Sequence, residues 1–229
     1  MAGLKNLVKE LILHNLNTSP TASPTVSPTE KNSLGQGAVF LDRDGVINVE
    51  VGYIHNLEDL QLIPGVAAAV KELNDRHIFT CLVTNQSGAA RDYYPLDHIQ
   101  ALNQRLQALL YQAAGAKLDA IYSCHYLSSR VGGKNPQFTG WSTWRKPNTG
   151  MLVAAAWDYD LDLKQSFMVG DKATDVDLAH NAGCHGILVQ TGYGKEILSG
   201  DYQHHAKPDH IAPDLAEAVT WILSQIPHQ

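Results

Sequence analysis

Apolar positions recur along this chain in two rhythms. Short runs that are apolar on both faces read as buried strands at residues 39–41, 78–83, 118–122, 167–169 and 187–189. Between them, apolar residues return every three or four positions, the spacing of a helix with one buried face. Pro64 predicts a helix start at its favoured first position, with Val66, Val70 and Leu73 on one side. Pro95 opens a second helix, with Ile99, Leu102, Leu106 and Leu109 facing inward. Residues 151–159 read as a third helix, and a fourth runs through Ala182. Pro213 starts the last one, which buries Leu215, Val219, Ile222 and Leu223. Strand and helix alternate from Gly37 onward. That order predicts an α/β fold, a doubly wound parallel sheet with helices on both faces.

Residues 1–34 do not share this pattern. Leu4, Leu7, Val8, Leu11 and Ile12 recur at helical spacing, with Lys5, Lys9 and Glu10 between them. A stretch rich in Ser, Thr and Pro follows, with too little apolar mass to offset the entropy of ordering it. The expectation is a short helix plus a disordered linker over 1–34, and one globular domain over 35–229. The front helix reads as a frayed extension, or as a weak anchor to a membrane surface or partner.

Composition narrows the class. A length of 229 residues and 44% hydrophobic content suit one domain with a full core. The net charge of −6 argues against nucleic acid as a partner. Cys81, Cys124 and Cys184 are few and odd in number, which suggests a reducing, cytoplasmic setting and no disulfide framework. No stretch is long and apolar enough for a transmembrane segment. A monomer is expected.

The chemistry gathers at strand ends. The first strand runs into Asp42 and Asp44, two residues apart and so on one side, with Gly45 free to turn the backbone. Two like charges that close need a shared proton or a divalent cation. Thr84, Asn85, Gln86 and Ser87 end the second strand, and Asp171, Lys172 and Asp175 follow the fourth. Arg145 and Lys146 precede a helix. In open α/β sheets ligands bind beyond the carboxyl ends of the strands, so these groups belong to one site. Carboxylates without a neighbouring His or Cys favour a hard cation such as Mg²⁺. Lys, Arg and a hydroxyl suit phosphoryl oxygens. A Ca²⁺ loop needs Gly sixth and Glu twelfth, whereas Gly45 is fourth and Tyr53 twelfth counted from Asp42. Neither a dinucleotide fingerprint nor a P-loop is present.

The strings DRDGVIN, TNQSG, RKP and GDKATD resemble the four motifs of the haloacid dehalogenase (HAD) superfamily of phosphatases. The longer strings DRDGVINVEVGYIH, TNQSGAAR, RKPNTGM and MVGDKATD are similar to one branch, which holds heptose-bisphosphate and histidinol-phosphate phosphatases. The likeness covers about residues 37 to 195. It implies hydrolysis of a phosphomonoester on a small phosphorylated sugar through an aspartyl-phosphate. Histidinol phosphate or another small metabolite is the alternative substrate, and a non-catalytic phosphometabolite-binding module the alternative class.

Under this resemblance Asp42 is the nucleophile and Asp44 the general acid/base. The Asp42 carboxylate, the Asp44 backbone carbonyl and Asp171 hold Mg²⁺. Thr84 binds the transferring phosphoryl group, and Lys146 offsets its charge. Asn85, Gln86 and Arg145 line the substrate side, with Gly52, Tyr53 and His55 in a loop beside it. Lys172 and Asp175 support the site from behind. Zinc-bearing members carry a Cys-x-His pair and then Cys-x-Cys before RKP. Here the positions read Ser123-Cys124-His125 and Trp141-Ser142-Thr143-Trp144. No structural Zn²⁺ is therefore expected; Phe138, Trp141 and Trp144 are the large apolar groups available to order that loop, with at least one of the two tryptophans expected against the body of the domain and Trp141→Ala expected to loosen it. No large insertion follows Asn48 or His125, so no separate cap domain is expected.

Overall fold

A computed structural model describes residues 35–200, 204–205 and 207–226. The helix and linker expected at 1–34 lie outside the described residues. Six strands form one sheet: β1 (Ala38–Leu41), β2 (Phe79–Asn85), β3 (Ala120–Cys124), β4 (Phe167–Gly170), β5 (His185–Val189) and β6 (His210–Ala212). Their order is β3-β2-β1-β4-β5-β6, and every pairing is parallel. The helices are α1 (Val66–Asp75), α2 (Leu96–Ala114), α3 (Gly150–Tyr159), α4 (Ala173–Ala182), α5 (Gly194–Ser199) and α6 (Leu215–Gln225).

Period-two alternation along β1 splits the core into two layers. Val39 and Leu41 pack into the layer that holds the apolar faces of α1, α2 and α6. Ala38 and Phe40 pack into the other, with Met151, Leu152 and Ala155 of α3 and Leu178 and Ala179 of α4. Val39, Phe40 and Leu41 are wholly buried, which stabilises the fold by about 1.5–3 kcal/mol for each large side chain. A strand covered on both sides has no polar face, which explains its unbroken apolar run.

Several boundaries differ from the sequence expectation. Pro64 does not open α1. It lies in the turn before Gly65, which caps the helix at a φ of 85°. Pro95 caps α2 from outside rather than starting it, and Leu110, not Leu109, completes its fully buried stripe. Strand β3 begins two residues late. The Gln107 side chain occupies both the N–H and the C=O of Leu118, at 2.9 and 3.0 Å, so a helix takes the groups a strand neighbour would use. Asp214 caps α6, its Oδ1 accepting from the Glu217 amide at 3.0 Å. The short edge strand β6 and the single turn-and-a-half of α5 have no counterpart in the sequence expectation. The connections after β1 and β3 each carry only a 3₁₀ turn, Leu57–Asp59 and Ser129–Val131, which leaves the strand tips without a cap domain.

Candidate active site

The sheet reverses its winding between β1 and β4, and the loops diverge there to leave a crevice. Asp42 is still tied to the sheet, its amide donating to the Val169 carbonyl at 3.0 Å. Its Oδ1 accepts from the Arg43 amide at 2.7 Å and pairs with Lys146 Nζ at 2.8 Å. The turn that follows is tight: Ile47 and Asn48 amides both return to the Arg43 carbonyl. Gly45 has a φ of 81°, and a Cβ there would run into Asp171 Oδ2. Gly192 meets the same carboxylate from the other side. Asp171 therefore lies between two bare backbones, with the Tyr193 amide donating to its Oδ2 at 3.0 Å.

Lys146 is buried and bridges the acids. Its ammonium lies 2.8 Å from Asp42 and 2.6 Å from Asp175, and donates to the Val83 carbonyl at 3.3 Å. Burial pushes this amine down, but Asp175 and Asp42 more than reverse that and hold it charged. Asp42, Asp171 and Asp175 each bring one oxygen within 4.8 Å of the others. Asp171 Oδ1 is buried without a hydrogen-bond partner, and the nearest ammonium, Lys172, stands 3.7 Å away. Burial, with Asp42 and Asp175 adding repulsion against the pull of Lys172, pushes Asp171 up to about 8. Three buried acids share Lys146 and the more distant Lys172, and the carboxylate oxygen left orphaned among them fits a hard divalent ion such as Mg²⁺.

Asp44 is held differently. Arg43 reaches both its oxygens, with contacts of 3.1 and 3.2 Å, while Asn48 donates at 2.9 Å and Gln86 at 2.7 Å. Burial pushes this carboxyl up, but the Arg43 guanidinium and the two amides outweigh it and hold Asp44 below the usual range. Thr84 is buried, and its oxygen accepts from Gln86 at 3.0 Å, which leaves its O–H to donate.

The structure brings Asp42, Asp44, Thr84, Lys146 and Asp171 to one edge of the sheet. It places the others less directly. The Asn85 amide is occupied by the Lys146 backbone, at 3.1 and 3.4 Å, and so fixes the chain around that lysine rather than facing substrate. Gln86 is buried between Asp44 and Thr84. Arg145 donates to the Tyr126 carbonyl at 3.2 Å. Lys172 pairs with Glu50 at 3.0 Å and lies 4.7 Å from the Tyr193 ring centre. The amide of exposed Gly52 donates to that same Glu50, at 2.7 Å. Tyr53 is exposed, with its hydroxyl 3.4 Å from Ser87 Oγ and its ring edge-on to Tyr93. His55 is exposed against Tyr94.

Sequence reasoning passed over Arg43, Asn48 and Glu50, and placed Asp175 behind the site rather than on Lys146. The one available signal was a charged residue between the two acids of an otherwise apolar strand tip.

Comparison with known proteins agrees with this geometry. The family model described as HAD-hydrolase-like matches residues 143–218. The protein named D-glycero-D-manno-heptose-1,7-bisphosphate 7-phosphatase in Thermosynechococcus vestitus is 67% identical over 189 residues, 82% of this chain and 96% of its own. The Haemophilus ducreyi protein named D-glycero-beta-D-manno-heptose-1,7-bisphosphate 7-phosphatase is 41% identical over 82% of this chain and all of its own. The crystal structure of D,D-heptose 1,7-bisphosphate phosphatase from B. bronchiseptica, complexed with magnesium and phosphate, superposes with a TM-score of 0.72. It is 30% identical and covers 83% of this chain and all of that one. On this similarity, together with the acids, the lysine and the threonine at its own strand tips, the chain belongs to the haloacid dehalogenase superfamily, in the branch of the heptose-bisphosphate phosphatases.

Proposed function

We propose that this protein is a phosphomonoester hydrolase that removes the 7-phosphate of D-glycero-D-manno-heptose 1,7-bisphosphate, acting as a cytoplasmic monomer whose residues 35–229 are the working unit. The single observation that carries the reading is the buried Lys146 ammonium shared by Asp42 and Asp175, beside the orphaned Asp171 oxygen at the sheet's switch point. The names of the relatives supply the substrate.

In this reading Asp42 attacks phosphorus, and the bond from phosphorus to the sugar oxygen breaks. Asp44 gives its proton to that oxygen. In the second half water attacks the aspartyl-phosphate, Asp44 takes the proton back, and the phosphorus–Asp42 bond breaks to release phosphate. Asp44 rests as a carboxylate, and the charge of the arriving phosphate raises its affinity for the proton it will donate. Lys146 stays charged throughout and offsets the anion on Asp42 and the transferring group. Thr84 donates its hydroxyl to a phosphoryl oxygen. Mg²⁺, held by Asp42, the Asp44 backbone carbonyl and Asp171, would neutralise phosphoryl charge. Tyr53, His55, Gly52 and Arg145 form the open rim that meets the sugar.

A phosphate-release screen with Mg²⁺ tests this, using both anomers of the heptose bisphosphate, histidinol phosphate and other small phosphates. The expected result is highest kcat/KM on a heptose bisphosphate, with turnover kept in a chain starting at residue 34. Preference for histidinol phosphate overturns the substrate, and no release from any phosphate overturns the enzyme.

A further inference from the structure

Arg43 stands between the two acids in sequence, and strand alternation points it away from both. Its side chain nevertheless returns to the site. It is 1% exposed, among the largest fully buried side chains of the described residues. Burying a guanidinium is costly unless its donors find partners. Here Nε donates to Asp44 Oδ1 at 3.2 Å, and Nη2 reaches both Asp44 oxygens at 3.1 Å and Gln86 Oε1 at 2.9 Å. Nη1 lies 3.5 Å from Asn103 Oδ1 on α2, and Asn103 donates to Ser123 Oγ on β3 at 3.2 Å.

Gln86 completes the ring of contacts. Its oxygen faces the guanidinium, so its amino group must face Asp44 and Thr84, which it reaches at 2.7 and 3.0 Å. A flipped amide would set acceptor against acceptor on the carboxylate side. Asn48 takes the remaining approach to Asp44 Oδ1 at 2.9 Å. Asp44 is thus held through both oxygens by three side chains from two loops, and the frame reaches back into α2 and β3.

We propose that Arg43 is a positioning residue, which with Gln86 locks the Asp44 carboxyl in the one orientation that serves proton transfer to and from the reacting oxygen. This rests on the acid/base reading of Asp44 above. Only a planar fork spans both carboxylate oxygens and still offers an N–H to Gln86; an ammonium has no such geometry. The alternative is a counter-ion that merely keeps the strand tip folded. The two differ in what they do to different leaving groups. In the first half-reaction an alkoxide needs the proton that Asp44 supplies, whereas an aryl oxide leaves without it; the second half uses Asp44 with either ester.

The experiment measures kcat and KM for the heptose bisphosphate and the rate of the p-nitrophenolate burst from p-nitrophenyl phosphate in wild type, Arg43→Lys and Arg43→Gln, with thermal melts alongside; the ratio of the two rates is the readout. Proton transfer by a positioned group is worth on the order of 10²-fold or more, so kcat on the alkyl ester should fall by about that in Arg43→Gln. Arg43→Lys should lose at least about tenfold. On the aryl ester the first half-reaction, read as the burst of p-nitrophenolate, should stay within about threefold, while steady-state kcat falls because water still needs Asp44 in the second half. A p-nitrophenolate burst that slows in parallel with turnover of the alkyl ester, or no loss on either ester, overturns the proposal. Should both variants fail to fold, Asn103→Leu, which frees only the outer end of the guanidinium, is read by the same ratio. If wild type releases nothing from the heptose bisphosphate, that substrate reading fails by itself, and the ratio is taken on histidinol phosphate or glycerol 3-phosphate. A wild type inert toward every alkyl phosphate overturns both.

Discussion

Asp42 accepts on a single oxygen from the Arg43 amide and the Lys146 ammonium. Replacing it with asparagine keeps an acceptor for both, but an amide oxygen is no nucleophile. Asp42→Asn should therefore lower phosphate release by at least about 10³-fold, the scale on which losing a catalytic nucleophile is felt. The change also removes one of three buried carboxylates that lie within 4.8 Å of one another. Without metal the variant should melt no lower than wild type. Near wild-type release, or a lower melting temperature in the metal-free protein, contradicts the assignment. His125 offers a second test. Burial alone pushes its imidazole down to about 4. The unfolded chain binds the proton first, so the stability of neutral His125 is complete above about pH 6.5 and is lost as pH falls toward 4. Between pH 7 and pH 4.5 wild type should lose about 2–3 kcal/mol more than His125→Asn in denaturant titrations. Equal losses would mean that the ring is hydrated. At this scale the sequence was readable for residue type and unreadable for orientation. Asp42, Asp44 and Asp171 stand where strand ends predicted, while Arg43 turns back on Asp44 by a side-chain rotation that no spacing encodes.

Among the elements, the loop of residues 125–149 departs furthest from expectation. It lacks the cysteines of the zinc-bearing pattern, so apolar groups must order it. Leu127 and Phe138 do so, buried against Ala89, Ala90 and Ile99. Trp144 lies half-buried, 5.6 Å from the Tyr122 ring. Trp144 is thus the loop tryptophan that packs on the domain, as expected of at least one of the two, whereas Trp141, at 77% exposed, does not order the loop, which corrects the expected effect of Trp141→Ala. Aromatic residues in a Gly-rich loop look alike in sequence, and burial depends on which strand tip each one reaches. Phe138→Ala should cost about 3 kcal/mol and raise KM, since large core truncations cost about 3–5 kcal/mol and this site lies at the edge. Trp141→Ala should stay within about 0.5 kcal/mol. A larger loss in Trp141→Ala than in Phe138→Ala, by thermal melt, reverses the assignment. Regular elements were easier to read. Apolar periodicity located five of the six strands, and failed for β6 because three residues, His210–Ala212, are too short to show a period.

At the scale of the whole molecule, alternation of strand and helix was enough to foresee a parallel sheet covered on both faces. Strand order was not foreseeable, and strand order is what puts β1 beside β4 and hence Asp42 beside Asp171. That adjacency brings Asp42, Asp171 and Asp175 within 4.8 Å of one another, with Lys146 the sole ammonium paired with both Asp42 and Asp175 among the described residues. A divalent cation relieves the excess, so turnover should require Mg²⁺ and be lost on metal stripping with excess chelator. The same crowding gives the metal effect a pH signature. Burial and its neighbours hold Asp171 up to about 8. Below that pH the folded protein binds a proton there that the unfolded chain releases, so in the metal-free protein Asp171 withdraws stability as pH climbs from about 4 to 8. Mg²⁺ must displace that proton, so its stabilisation should grow over the same rise and level off above. A metal concentration about 100 times the dissociation constant stabilises by about 2.7 kcal/mol, a shift of several degrees that a melt resolves. The measurement is the difference in melting temperature with and without Mg²⁺ at about pH 6, 7 and 8, paired with phosphate release at each. A shift that grows with pH supports Asp171 as a ligand of the metal. Full activity in excess chelator, or a shift that shrinks as pH rises, places the charge balance of this site elsewhere.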